Sequence, residues 1–280
     1  MKNWALTFFS VFLVVALLPI TVTTALKERP ITKMTIFENG ETITIDLEEY
    51  ALRVLLGEGA NCKSMESKKA LAVSARTLGA YFSFYGCKHT DFSACTDGNC
   101  CLSLGSYENA DEDFLNDCIT AVNETKGEIL THENLPVLSL FTLCSGSGTA
   151  QSDELFYLSP TYNETICEEH KSVQSFEKSG LLDGVDDQNS CIVYAENGKC
   201  EFLILNGKKI DALDFITQMK IPSTEFVLWL DGDSVRAESN GIGHGFGLDI
   251  CGSEKLSQNG NNYKEILGFY FPRLNLNKIY

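Results

Sequence analysis

Positive charge is scarce in this sequence: 22 Lys and Arg stand against 38 Asp and Glu, a net charge of −16 with a pI near 4.6. A basic face for phosphate is therefore missing, which argues against nucleic acid as a partner, and any anionic ligand has to be met by local Arg or Lys. Nucleotide signatures are missing as well. The stretch Gly241-Ile-Gly-His-Gly-Phe-Gly alternates glycine with larger residues, but the third glycine of a dinucleotide fingerprint falls on Phe246, and no Gly-Lys-Ser/Thr phosphate loop is present. Ser145-Gly-Ser-Gly lacks the residue order of a nucleophile elbow. Repeats are absent, and no linker is long enough to force a domain split.

Long apolar runs are confined to one place. Residues 5–26 are uncharged, long enough to cross a bilayer as a helix, with Lys2 before them and Lys27 and Arg29 after. A cleaved signal peptide is the competitor, with Thr-Val-Thr-Thr-Ala as a passable end. The length favours a single-pass membrane anchor over residues 1–26 and an exported domain over residues 27–280. Both alternatives put the domain outside the cytoplasm. The 280 residues are 44% hydrophobic, enough for a full core.

Hairpins and helices mix without βαβ regularity, so the expected fold class is α+β, one compact domain with a substrate groove. Residues 32–45 read as a hairpin around Asn39-Gly40. A helix follows in which Leu47, Tyr50, Ala51, Val54 and Leu55 form one stripe, with Asp46 as cap and Glu49 completing a capping box. Gly57 reads as its stop, so Glu58 falls just past the helix end, between two glycines. The negative end of a helix disfavours a carboxylate and favours the protonated acid, the form a general acid needs. A second helix from Ser64 carries Leu71, Ala75, Leu78 and Phe82 on one face; Arg76, a charge among small residues, requires a partner carboxylate or a ligand. A third helix spans Asp111 to Thr125, a second hairpin turns at Glu133-Asn134, a short helix covers Asp211 to Met219, and a further hairpin turns at Asp231-Gly232. Residues 152–190 read as acidic and irregular.

Eleven cysteines are present, one too many to pair completely. His89, Cys95, Cys100 and Cys101 fall within thirteen residues and form a closed ligand set for a structural zinc; adjacent Cys100 and Cys101 are hard to join to each other as a disulfide. His244, at the centre of the glycine loop, is a candidate for binding or proton transfer. Cys144 as a nucleophile with His244 as its base is supported by no spacing rule.

Several stretches together resemble the stage II sporulation protein D family, membrane-anchored lytic transglycosylases of endospore-forming bacteria. They are Gly57-Glu58, Lys69-Ala-Leu-Ala-Val-Ser-Ala-Arg-Thr, the His/Cys cluster, Ala121-Val-x-Glu-Thr-Lys-Gly-Glu-Ile-Leu, Cys144-Ser-Gly-Ser-Gly-Thr-Ala, Gly243-His-Gly-Phe-Gly and Tyr263-Lys-Glu-Ile-Leu-x-Phe-Tyr-Phe-Pro. The resemblance implies Glu58 as catalytic acid, and cleavage between N-acetylmuramic acid and N-acetylglucosamine in peptide-stripped peptidoglycan during forespore engulfment. It implies Ser145, Gly146, Ser147, His244, Gly245 and Asp249 as substrate contacts, and Arg76 as a partner for the lactyl carboxylate. The implied protein partners are the stage II sporulation proteins P and M. Two departures stand out. Cys100 replaces the family's second histidine, and Leu248-Asp249-Ile250 stands where the family has Met-Ser-Gln. The second motivates a rival reading, a wall-binding scaffold with weak catalysis.

Overall fold

The computed structural model describes residues 31–98, 101–152, 154–162, 170–186, 188–195 and 198–280. The expected anchor over residues 1–26, and Cys100, lie outside the described residues. Among the described residues, no helix is long and apolar enough to cross a membrane. They form six α-helices and five small sheets, an α+β arrangement around two hydrophobic cores.

Strands β1 (Lys33–Glu38) and β2 (Glu41–Asp46) pair as the expected hairpin, with Asn39 and Gly40 both at positive φ (51° and 87°), as a type I′ turn requires. Helix α1 (Leu47–Glu58) follows directly. Asp46 occupies the cap position but makes no capping hydrogen bond, contrary to the expected capping box. Its carboxylate lies opposite Lys33 across the hairpin, 4.0 Å from the ammonium group. Gly57 does not end the helix either; the helix runs on to Glu58 and Gly59 takes the C-cap.

Helix α2 (Met65–Tyr85) is the axis of the first core. Ser64 caps it, accepting from the Ser67 N–H at 3.2 Å. It packs against α1, α3 (Glu112–Glu124), β4 (Glu128–His132), α5 (Ile250–Gln258) and α6 (Tyr263–Tyr270). It is thus covered on every side, and its buried positions run unbroken from Ala70 to Ala80 rather than forming one stripe. This explains its small residues: a Cβ on Gly79 would come within 2.8 Å of the Tyr50 ring on α1.

β4 turns at Glu133 and Asn134, both at positive φ, into β5 (Leu135–Pro136), which stops after two residues because proline has no N–H for the ladder. On β4's other edge lies β14 (Asn275–Lys278), a strand not anticipated from the sequence pattern.

The second core, around Leu203, Phe215, Phe226 and Val235, is built from two sheets and a helix. One sheet is β7 (Lys171–Glu177), β12 (Ser234–Asn240) and β11 (Phe226–Asp231); the other is β8 (Cys191–Tyr194), β9 (Cys200–Leu205) and β10 (Lys208–Asp211). Helix α4 (Ala212–Met219) is capped by Asp211, as expected. Strand β7 corrects the expectation of irregular chain over 152–190. As an edge strand it leaves even Val173 largely exposed, so it carries little apolar signal. Between the cores, β6 (Phe141–Thr142) pairs in parallel with β13 (Leu248–Asp249).

Arg76, wholly buried in α2, ties that helix to α1, α3 and β4. Its guanidinium donates to the Glu48 carboxylate on α1 (3.0 and 2.6 Å), the Val122 carbonyl on α3 (3.2 Å) and the Glu128 carbonyl on β4 (3.1 Å). The other Glu48 oxygen accepts from the Gly127 N–H (3.0 Å) and the Tyr280 hydroxyl (2.6 Å). The partner that a buried charge demands is thus Glu48, and the expectation that Arg76 meets a substrate carboxylate is corrected: no donor of this buried group faces a groove. Arg76→Ala should destabilise the protein by about 3–5 kcal/mol, the cost of breaking a buried ion pair, in urea denaturation. Arg76→Lys, which keeps the charge but not the fork, should recover only part of this. A loss below about 1 kcal/mol for the alanine variant would show the pair to be dispensable.

Candidate functional site

The end of α1 is held by backbone contact rather than side-chain packing. The loop 103–105 lies so close to it that a Cβ on Gly57 would meet the Ser103 carbonyl oxygen at 2.1 Å, and one on Gly105 would meet the Leu56 carbonyl carbon at 2.5 Å. The Gly105 N–H donates to the Arg53 carbonyl (2.8 Å), and Arg53 Nε returns a bond to the Gly105 carbonyl (3.3 Å). At the tip, the Ser103 N–H donates to Glu58 Oε1 (3.2 Å). Gly57 is therefore a close-approach glycine inside the helix, and its partner Gly105 is a site residue that helix periodicity could not indicate.

Glu58 opens onto a groove of about 710 Å³. Leu78 and Phe82 of α2 form its floor, Cys101 and Leu102 flank Glu58, and Leu140 to Leu143, Ile242 and Ile250 form the far wall, with His244 beside them. Among the described lining residues Glu58 is the one carboxylate and Lys88 the one Lys or Arg.

The glycine loop packs closely against residues 140–144: Cβ atoms at Gly241 and Gly247 would strike the Cys144 and Leu140 carbonyl oxygens at 2.5 and 2.0 Å. His244 reaches the groove, but its Nδ1 accepts the Phe246 N–H (3.0 Å). Burial pulls its pKa down to about 4, against a hydrogen bond to the Phe141 backbone that raises it. At neutral pH it is a neutral ring that fixes the loop, not a proton store. Gly245 is absent from the groove lining; its carbonyl accepts from the Ala150 N–H (2.7 Å).

Ser145, Gly146, Ser147 and Asp249 do not line the groove either, which corrects the expectation of direct substrate contact. Asp249 is fully buried: one oxygen caps α5 through the Gly252 N–H (2.9 Å), and the other accepts from the Ser145 N–H (3.1 Å) and hydroxyl. Ser147 bonds to Glu225, and buried Lys199 bridges Glu225 (2.7 Å) and the Ser145 carbonyl. Burial raises the Glu225 pKa, but the Lys199 charge and the bonds from Lys199 and Ser147 bring it below the ordinary value. These residues fasten the second core to the first.

Three of the four sequence-predicted metal ligands come together, and one of them, Cys101, lines the groove with Glu58. The ligand atoms of His89, Cys95 and Cys101 lie within 4.8 Å of one another, with His89 Nε2 3.4 Å from Cys101 Sγ. β3 (Ala94–Cys95), pairing in parallel with β1, carries Cys95 to this point.

Residues 38–132, which hold Glu58 and this cluster, match the family model SpoIID, described as stage II sporulation protein. Over that segment, about a third of its length, the chain is similar to the SpoIID family. Its relatives include the stage II sporulation protein D of Bacillus subtilis (strain 168), 23% identical over 256 residues, covering 83% of this chain and 75% of that protein. That of Bacillus amyloliquefaciens is 21% identical over 277 residues, covering 90% and 80%. The SpoIID match ends before the glycine loop, so the groove's far wall lies outside the matched segment.

Two outcomes test this geometry. Alanine at Gly57 should gain about 1 kcal/mol of helix propensity, yet the overlap with the Ser103 carbonyl should cost about 1–3 kcal/mol. Gly57→Ala should thus be net destabilised in thermal or urea unfolding; a more stable variant would refute the contact. For His244, an unfolded chain takes up a proton as pH falls below 6.5, which the folded ring refuses until about pH 4. Stability should therefore fall with pH through that window, by on the order of 3 kcal/mol from this ring. His244→Gln should flatten that part of the pH–stability curve; an unchanged curve would contradict the assignment.

Proposed function

We propose that this protein is a lytic transglycosylase of the SpoIID kind that cleaves the bond between N-acetylmuramic acid and N-acetylglucosamine in peptide-stripped peptidoglycan strands during forespore engulfment. The observation that supports it best is that Glu58 is the single carboxylate among the described residues lining the groove. Hydrolytic glycosidases use two carboxyl groups, one to protonate the leaving oxygen and one to activate water or form a covalent intermediate. A reaction whose nucleophile belongs to the substrate manages with one. Glu58 protonates the glycosidic oxygen as the C1–O bond breaks. The resulting carboxylate takes the proton of the muramyl 6-hydroxyl, whose oxygen closes on C1 to give the 1,6-anhydro product. The acid is regenerated and no water is consumed.

In this reading Lys88, rather than Arg76, is the cation nearest a lactyl carboxylate. The clustering of His89, Cys95 and Cys101 fits a structural zinc, which these residues and Cys100 would hold and which would fix the loop beside Glu58. The reading includes attachment to the cell membrane through residues 1–26, an extracytoplasmic domain, and the stage II sporulation proteins P and M as partners. One observation favours the wall-binding scaffold instead. Ile250, where the family has Gln, lines the groove and offers an apolar side chain in place of a polar contact.

Mass spectrometry of products from peptide-free glycan strands tests the proposal. Wild type should release anhydro-muramyl ends, and Glu58→Gln should lower the rate by roughly 10²–10⁴-fold while still binding strands. Reducing ends lost in the same variant would mean hydrolysis. Strand binding without products from folded wild type would establish the scaffold reading.

A further inference from the structure

A second cluster of metal-ligand type, which the proposed reaction does not use, lies behind the groove's far wall. Cys144 Sγ, a His170 ring nitrogen and Cys251 Sγ lie within 4.8 Å of one another. With Zn–S near 2.3 Å and Zn–N near 2.0–2.1 Å, tetrahedral ligand atoms stand about 3.6–3.8 Å apart. The three atoms need to close by only a fraction of that distance.

They come from three parts of the chain, each already fixed by its backbone. Cys144 follows β6 and exchanges two bonds with Ile242, its N–H donating at 3.1 Å and its carbonyl accepting at 2.8 Å. His170 leads into β7, and its carbonyl accepts the Gly241 N–H (3.1 Å). Cys251 sits in the first turn of α5, its N–H donating to the Leu143 carbonyl (3.0 Å). Cys144 is 1% exposed, and two thiols with one imidazole form a soft donor set that prefers zinc-like ions to magnesium or calcium.

We propose that Cys144, His170 and Cys251 supply three donors to a second transition-metal site, of the zinc class, separate from the His89 cluster. It would be a staple for the groove. Leu143 and Ile250, chain neighbours of two ligands, line the far wall, and so does Ile242, which bridges Cys144. The first cluster reaches the groove directly through Cys101, while the second meets it through the chain neighbours of its ligands.

The test uses the full chain purified with zinc present. Elemental analysis should show one metal fewer per chain in Cys251→Ser and in His170→Gln than in wild type, a difference read whether or not the His89 cluster is loaded. A variant at half-buried Cys251 or at His170 avoids the packing loss that replacing buried Cys144 would bring. Cys251 should resist alkylation in the loaded protein and react once a chelator is added, as mapped by peptide mass spectrometry. Unchanged metal content in both variants would overturn the proposal. So would a Cys144–Cys251 disulfide in a non-reducing peptide map, since oxidised sulfurs no longer serve as thiolate ligands.

Discussion

The buried pair of Arg76 and Glu48 fixes the rest of this structure. A guanidinium with no access to water is tolerable only if its donors are satisfied, and here the acceptors are spread over α1, α3 and β4, with the C-terminal tyrosine on the other oxygen of Glu48. Each element is thereby tied to α2 by a directional bond, where packing of apolar surfaces alone would let helices slide or rotate. Glu58 lies ten residues beyond Glu48 on the same helix, about 15 Å along its axis. Whatever holds Glu48 therefore sets where the carboxylate at the other end emerges. The charge that looked like a substrate contact acts on the site at a distance, through the rigidity of one helix.

At the groove itself the governing constraint is backbone against backbone. Loop 103–105 is pressed onto the end of α1, and the glycine loop is pressed onto residues 140–144, each at separations that no Cβ would permit. Contacts of this kind leave little slack. The polar network of Asp249, Ser145, Ser147, Lys199 and Glu225 adds a charge-assisted seam between the cores where the second wall begins. It is buried and mutually satisfied, so it specifies one way of joining the two bodies.

How much of this was legible in the sequence follows from the range of the signals. Local signals were read correctly: the Asn39-Gly40 turn, the Asp211 cap and the periodicity of α1; the His/Cys spacing does bring His89, Cys95 and Cys101 together. Signals that needed a distant partner were not. Asp46 reads as a cap until Lys33 is known to lie opposite it. Gly57 reads as a helix stop until Ser103 is known to lie against it. Ser145 and Asp249 read as groove residues because small and polar side chains near a glycine loop look the same whether they face a ligand or a buried seam. Residues 171–177 were missed because an edge strand exposed on alternate positions has a nearly polar pattern. Arg76 was read half correctly, since burial demanded a partner, but nothing in the spacing pointed to Glu48 rather than Glu58.

The character of the groove bears on the choice between hydrolysis and internal transfer. A hydrolase needs a polar group opposite the acid to hold and deprotonate water. The far wall here is Leu140, Phe141, Thr142, Leu143, Ile242 and Ile250. The Thr142 hydroxyl donates to the Ile242 carbonyl (3.1 Å) and accepts the Gly245 N–H (3.3 Å). The imidazole among the described lining residues, His244, is neutral, with Nδ1 held by the Phe246 N–H and a further bond to the Phe141 backbone. A wall that is apolar apart from a hydroxyl already bonded to the backbone is poorly equipped to activate water; under the proposed reaction it would press a sugar ring against Glu58 and leave the ring's own hydroxyl as the nearest nucleophile. Ile250 belongs to this apolar side of the groove. Under the proposed reaction, an apolar side chain at that position offers substrate no hydrogen bond and water no anchor, so it would slow turnover and favour ring closure over hydrolysis. The ratio of anhydro to reducing ends would report on the second effect independently of the rate.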